Sequence, residues 1–241
     1  ASAGAGDGAH AVAERLRPQV LASYPHDPTA FTQGLLWHEG QLLESTGLNG
    51  RSSLRRVDPK SGQVLQQVPV PEQYFAEGLA LVGESLYQLT WQSHAGFRYR
   101  LADLAPEGGF TYEGEGWGLC YDGQRLVRSD GSADLIFHRP EDFAELGRVT
   151  VTLDGAPQER LNELECVSGD VYANVWQTDR ILRIDPASGR VEAEIDASGL
   201  LSAEERQGAD VLNGIAYNPE AEVFYVTGKL WPKLFEVRFA P

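Results

Sequence analysis

Five places in the sequence open an apolar run with a polar or aromatic side chain, usually followed by glycine. They read Gln33-Gly34-Leu35, Glu77-Gly78-Leu79, Trp117-Gly118-Leu119, Asn162-Glu163-Leu164 and Asn213-Gly214-Ile215. A second apolar run follows each and finishes on Glu44-Ser45-Thr46, Trp91, Asp130, Trp176 or Lys229. Gathered at one place, these residues would supply carboxyls, amides and a lysine beside three of the five tryptophans. A carboxyl buried among aromatic rings has its pKa raised toward the range of a general acid or base. Amides and a lysine bind or polarise a carbonyl, and tryptophans exclude water. An apolar bowl with a few convergent polar groups is the general form of a small-ligand site.

The elements that would position these residues follow from the same recurrence. The five openings return at intervals of about 40 to 50 residues, the length of a four-stranded propeller blade. Turn residues such as Val82-Gly83-Glu84 and Ser168-Gly169-Asp170 separate each first strand from its second. A third and fourth strand form a hairpin in Arg56-Val57-Asp58-Pro59-Lys60-Ser61-Gly62-Gln63-Val64, matched by Arg183-Ile184-Asp185-Pro186-Ala187-Ser188-Gly189-Arg190-Val191. The expected fold is all-β, a five-bladed β-propeller of four-stranded antiparallel blades around a central channel. The last unit looks one strand short, and a strand around Gln19–Tyr24 would complete it and remove exposed edges. Residues 1–18 are expected to be a flexible segment and 19–241 a single propeller domain. In that topology the first residues of the inner strands and the last residues of the second strands share one rim. Phe31 and Phe75 precede the first two units at the same end.

Composition narrows the classes of partner. Twenty Lys and Arg against thirty-five Asp and Glu give a net charge of −15, which argues against a nucleic-acid or anionic-membrane surface. No apolar stretch is long enough for a transmembrane helix. There is no Cys/His cluster of zinc-site spacing, no phosphate-binding glycine loop and no serine nucleophile elbow. The chain has no methionine, and it opens on small residues from Ala1 to Gly8. An exported, trimmed monomer is therefore expected, periplasmic or secreted. Cys120 and Cys166 sit in comparable places of successive repeats; a bridge is conceivable, but buried free thiols are the expectation.

With these residues in view, the chain resembles the glutaminyl cyclases (glutaminyl-peptide cyclotransferases) of plant and bacterial type. The resemblance spans His26 to Val237. It is carried by runs such as Phe31-Thr32-Gln33-Gly34-Leu35, Phe75-Ala76-Glu77-Gly78-Leu79, Gly116-Trp117-Gly118-Leu119, Leu161-Asn162-Glu163-Leu164-Glu165 and Val226-Thr227-Gly228-Lys229-Leu230-Trp231-Pro232. Ala76 and Asn49 depart from it, standing where glycine and an aromatic residue are expected. The resemblance implies a five-bladed propeller that converts N-terminal glutamine of peptides to pyroglutamate and releases ammonia. It implies Glu77 as the catalytic proton shuttle, with Phe31, Gln33, Phe75, Trp91, Trp117, Asn162, Trp176 and Lys229 binding the substrate and no metal or other cofactor. Two other functions are compatible with the rim residues alone. A propeller glycoside hydrolase would set Glu77 and Glu163 across one sugar, and a non-catalytic propeller would bind a peptide or glycan there.

Overall fold

The computed structural model describes residues 12–241, and every regular element among them is a β-strand. Strand β1 (Glu14–Pro25) precedes three antiparallel four-stranded sheets. The first holds β2 (Thr32–His38), β3 (Gln41–Thr46), β4 (Ser53–Val57) and β5 (Val64–Pro69). The second holds β6 (Ala76–Val82), β7 (Ser85–Thr90), β8 (Ala95–Arg100) and β9 (Pro106–Thr111). The third holds β10 (Leu119–Tyr121), β11 (Leu126–Arg128), β12 (Asp134–His138) and β13 (Glu145–Thr150). A two-residue hairpin, β14 (Thr152–Leu153) with β15 (Ala156–Pro157), leads to the remaining strands. These are β16 (Leu161–Val167), β17 (Asp170–Val175), β18 (Arg180–Ile184), β19 (Val191–Asp196), β20 (Leu212–Asn218), β21 (Val223–Gly228) and β22 (Lys233–Ala240). With β1 they make one eight-stranded sheet in the order β16-β17-β18-β19-β1-β22-β21-β20. The chain is thus all-β and propeller-like.

Local sequence explains the hairpins. Glu39-Gly40 and Ser168-Gly169 both take left-handed φ at two successive residues (47° and 81°, 49° and 87°), the turn whose twist matches that of the flanking strands. In the repeated Asp-Pro-x-Ser-Gly turn, the Gly62 N–H donates to the Asp58 carbonyl at 2.9 Å and the Gly189 N–H to Asp185 at 2.8 Å. Outer strands alternate in burial, as β5 does residue by residue, whereas β2, β6 and β16 are buried on both faces through their first five residues. The core lies in the clusters between sheets, for example Leu36, Leu43, Leu54, Leu79 and Leu86 between the first and second.

The first strands of the sheets lie side by side, β2 against β6, β6 against β10, β10 against β16, and β20 against both β16 and β2. Glycine permits the approach. A side chain at Gly78 would meet the Leu119 nitrogen at 2.6 Å, and one at Gly118 would run into the Asn162 carbonyl oxygen. The fourth repeat has Glu163 instead of glycine. Its buried carboxylate accepts from the Leu35 N–H at 3.3 Å and the Ile215 N–H at 2.7 Å, fastening β16 to β2 and β20.

Two expectations need correction. The chain enters strand structure at Glu14 rather than after residue 18, because Glu14–Leu16 pair in parallel with Ala193–Ile195; of the expected flexible segment, residues 1–11 lie outside those described. The cysteines are not free thiols. Cys120 and Cys166 follow Trp117 and Asn162 on adjacent strands, which brings their Cα atoms to 5.5 Å, and they are joined as a disulfide.

Candidate active site

Four of the five polar openings sit at irregularities of their strands. The pairing register shifts between Thr32 and Gly34, Ala76 and Leu79, Leu161 and Leu164, and Leu212 and Ile215. Gln33, Glu77, Asn162 and Asn213 fall inside those shifts. A bulge inserts a residue that the partner strand does not match and re-aims its side chain, so the polar group leaves the alternation that would otherwise bury it between sheets. Trp117 precedes β10 and is held by backbone bonds instead: its N–H donates to Ser129 O at 3.0 Å and its carbonyl accepts from Gly78 N–H at 2.8 Å.

The result is one cavity of about 340 Å³ lined by Phe31, Gln33, Phe75, Glu77, Trp91, Trp117, Asn162, Trp176 and Lys229. All nine residues singled out in the sequence therefore meet. Leu48, Gln177, Asp210 and Val211 line it too and were not anticipated; each lies within three residues of a quoted run, on a loop that follows or leads into it. The aromatic wall is assembled edge to face: Phe31 with Phe75 at 5.9 Å, Phe75 with Trp91 at 5.5 Å and Trp117 with Trp176 at 5.5 Å between ring centroids. Such contacts favour one ring orientation over another. Trp91 is 36 % exposed and marks the mouth. Gly131, at φ 84°, lies under the Trp117 ring, where a β-carbon would come within 2.5 Å of it.

Polar groups enter from the inner strands. Glu77 is buried, and its carboxyl is held well above the usual range because burial outweighs the nearby Lys229, with Glu115 pushing the same way as burial. A relay supports it: Asn213 Nδ2 donates to Gln33 Oε1 at 3.2 Å, and Gln33 Nε2 donates to Glu77 Oε1 at 3.3 Å. The Lys229 ammonium lies 4.7 Å from the centre of the Phe31 ring. Burial lowers its pKa while Glu77 and Asp210 oppose the change. Two residues of the wall each carry a buried polar atom with no hydrogen-bond partner, the Trp117 indole N–H and the Asn162 amide oxygen. Among the described residues Trp37, Arg98, Asn174 and Arg183 carry such atoms as well, but none of these four lines the cavity.

The other rim residues do not reach the cavity. Glu44 takes the His26 imidazole at 2.8 Å and the Thr32 hydroxyl at 2.9 Å. Asp130 closes its own turn by accepting from Ser132 N–H at 3.0 Å. Glu163 is occupied by the backbone of β2 and β20, so the pair of facing carboxyls that glycoside hydrolysis requires is not assembled.

Comparison with known proteins identifies the relatives of this chain. The family model described as glutamine cyclotransferase matches residues 1–239. A glutaminyl-peptide cyclotransferase of Arabidopsis thaliana is 43% identical over 226 residues, covering 91% of this chain and 70% of its own. The crystal structure of Myxococcus xanthus glutaminyl cyclase superposes with a TM-score of 0.86 at 45% identity, over 94% of this chain and 98% of that one. Hydrazine synthase from Kuenenia stuttgartiensis gives a TM-score of 0.50 at 16% identity, over 93% of this chain and 59% of that one, a likeness of fold alone. On its sequence and its fold, this chain belongs to the glutamine cyclotransferase family.

Proposed function

We propose that the protein is a glutaminyl-peptide cyclotransferase that acts on peptides or proteins beginning with glutamine, with Glu77 as its proton shuttle. The observation that carries the mechanism is that Trp117, with an unpaired N–H, and Asn162, with an unpaired amide oxygen, line the same cavity as Glu77. One donor and one acceptor complement a primary carboxamide, which offers an oxygen and an N–H₂.

In the reaction the neutral α-amine attacks the γ-carboxamide carbon, a ring C–N bond forms, and the bond to the amide nitrogen breaks. One proton leaves the attacking nitrogen and one must reach the departing nitrogen, giving ammonia and the lactam. The Glu77 carboxyl serves both transfers, since burial raises its pKa above the ordinary carboxylate range and lets it give up a proton as well as take one. Trp117 N–H donates to the oxygen on which negative charge develops, with the Lys229 ammonium nearby. Asn162 accepts from the substrate nitrogen, and Gln33 keeps the Glu77 carboxyl in place. The aromatic wall folds the glutamine side chain back on its own amine, replacing a random encounter with a held geometry. Protein groups supply every step, so the scheme calls for no metal or other cofactor.

The fold that delivers these groups is, we infer, a single domain of five four-stranded blades closed by the N-terminal strand. Its support is the unequal partnership of β1, which pairs with β22 from Arg17 to Pro25 but with β19 over three residues only. The eight-stranded sheet then divides between β19 and β1 into two blades. The Cys120–Cys166 disulfide supports an exported, oxidising location. Its scattered exposed apolar side chains, Val20, Leu65 and Leu146 among them, suit a monomer. The decisive experiment incubates the protein with a glutamine-initiated peptide and follows ammonia and the mass of the product. Equimolar ammonia and lactam support cyclisation; an unchanged peptide overturns it.

A further inference from the structure

Beside the aromatic cavity lies a second one of about 370 Å³, which shares Gln177, Asp210 and Val211 with it. Its far side is made by the connection between β19 and β20, residues 197–211, with Leu201, Leu212 and Trp231 as a buried apolar floor. That connection is fastened at several points. Ala197 N–H donates to Asp179 O at 2.8 Å, Lys233 Nζ meets Glu205 Oε2 at 2.7 Å, and Ser202 N–H donates to Glu205 Oε1 at 2.9 Å. The ridge between the two cavities is built from the same parts. Asp210 N–H donates to Lys229 O at 2.8 Å, Lys229 N–H to Val211 O at 2.9 Å, and the Trp231 indole to Asp210 O at 2.8 Å. The site lysine and the ridge therefore hold one another.

Resting on the cyclase function above, we propose that this second cavity is a peptide subsite that receives the residues following the N-terminal glutamine. Only the first residue of the substrate reacts, and the rest of the peptide must leave the aromatic cavity somewhere. The ridge of Gln177, Asp210 and Val211 is its common border with a second depression that has an apolar floor and a polar edge. An extended chain rises about 3.3 Å per residue, so the second residue of a substrate crosses the ridge and the residues after it settle beyond. Binding energy from such remote contacts can be used to hold the reacting atoms in place.

The test compares glutaminyl-alanine with a glutaminyl tetrapeptide in the wild type, in Ala209→Trp, which fills the second cavity, and in Leu200→Ala, which enlarges it; Ala209 and Leu200 line that cavity alone. The wild type is expected to favour the tetrapeptide by about tenfold in kcat/KM, and Ala209→Trp to lose that preference while keeping dipeptide turnover within about twofold. Equal kcat/KM for the two substrates in the wild type overturns the subsite. So does an Ala209→Trp variant, folded by thermal melt, that keeps the full preference. Should Ala209→Trp fail to fold, Leu200→Ala decides: a changed ratio of tetrapeptide to dipeptide supports the subsite and an unchanged ratio overturns it. Absence of ammonia from either substrate in the wild type would instead count against the cyclase function itself.

Discussion

At the scale of single residues, the site separates proton transfer from charge stabilisation. Glu77→Gln keeps the size of the side chain and a partner for Gln33 but removes the titratable carboxyl that can take up and release a proton. Turnover should fall by about 10²–10⁴-fold, with a much smaller change in KM. Trp117→Phe leaves an aromatic ring against Trp176 but deletes the unpaired N–H; a loss of about 10²–10³-fold in kcat is expected if that N–H meets the developing oxyanion. Steady-state kinetics on folded variants check both, and turnover within about threefold of wild type in either case would remove that residue from the proposed scheme.

The elements show which features were legible in the sequence. The polar-Gly-Leu openings marked the inner strands, and the nine residues placed near them do share one cavity. The openings are also where bulges form, and a bulge leaves little trace in sequence beyond a polar residue interrupting an apolar run. Leu48, Gln177, Asp210 and Val211 escaped notice because they belong to connecting loops, whose course depends on tertiary packing rather than on period. The disulfide was missed for a related reason, since strand adjacency across sheets is not written in local pattern. Reducing it, or replacing Cys120 and Cys166 by alanine, should destabilise the chain by about 4 kcal/mol, the loop-entropy value for this 46-residue separation; denaturant melts under oxidising and reducing conditions measure it. A second element-scale device holds Trp117. The buried Arg128 donates to Glu115 O at 2.6 Å, to Glu113 O at 3.1 Å and to His138 Nε2 at 3.0 Å, pinning the loop that leads into the tryptophan. Arg128→Met is expected to cost about 1–3 kcal/mol in stability and roughly 10²-fold in kcat/KM through misplacement of the indole, seen together in melts and kinetics.

Across the whole molecule, buried ionisable groups set the pH at which the fold is strongest. Burial raises Glu77, Glu163 and Glu165 well above 4.5. Burial alone would lower His26, but the Glu44 carboxylate holds it above 6.5. Folded pKa values above the unfolded ones mean that stability is present below the unfolded pKa and is lost as pH rises through the folded one. His138 runs the other way: burial lowers it from 6.5 to about 4, and stability is lost as falling pH protonates the acceptor of Arg128. Burial by itself would raise Glu44, yet the His26 partner leaves it below 4.5, which also weakens the fold in acid. Stability should therefore peak on the acid side of neutrality, with a higher urea midpoint at about pH 5.5 than at about pH 8.5. Glu163→Gln should reduce that difference. An equal or reversed order of midpoints in the wild type would contradict the assignment.

The partnership of β1 also bears on how the molecule is made. Arg17 lies opposite Ala240, and Tyr24 opposite Leu234, so the first of the described strands has to wait for the last. Pairing of this kind is far from local, and its loop entropy must be met before any contact rewards it. While the chain folds, β1 therefore stays an unmatched edge, open to other partners until β22 is in place. Because Arg17 and Ala240 face each other as the arms of a hairpin do, a short turn joining them would make the slowest contact a local one. A permuted chain that opens in the loop between β5 and β6 and carries such a turn should refold faster than the natural order.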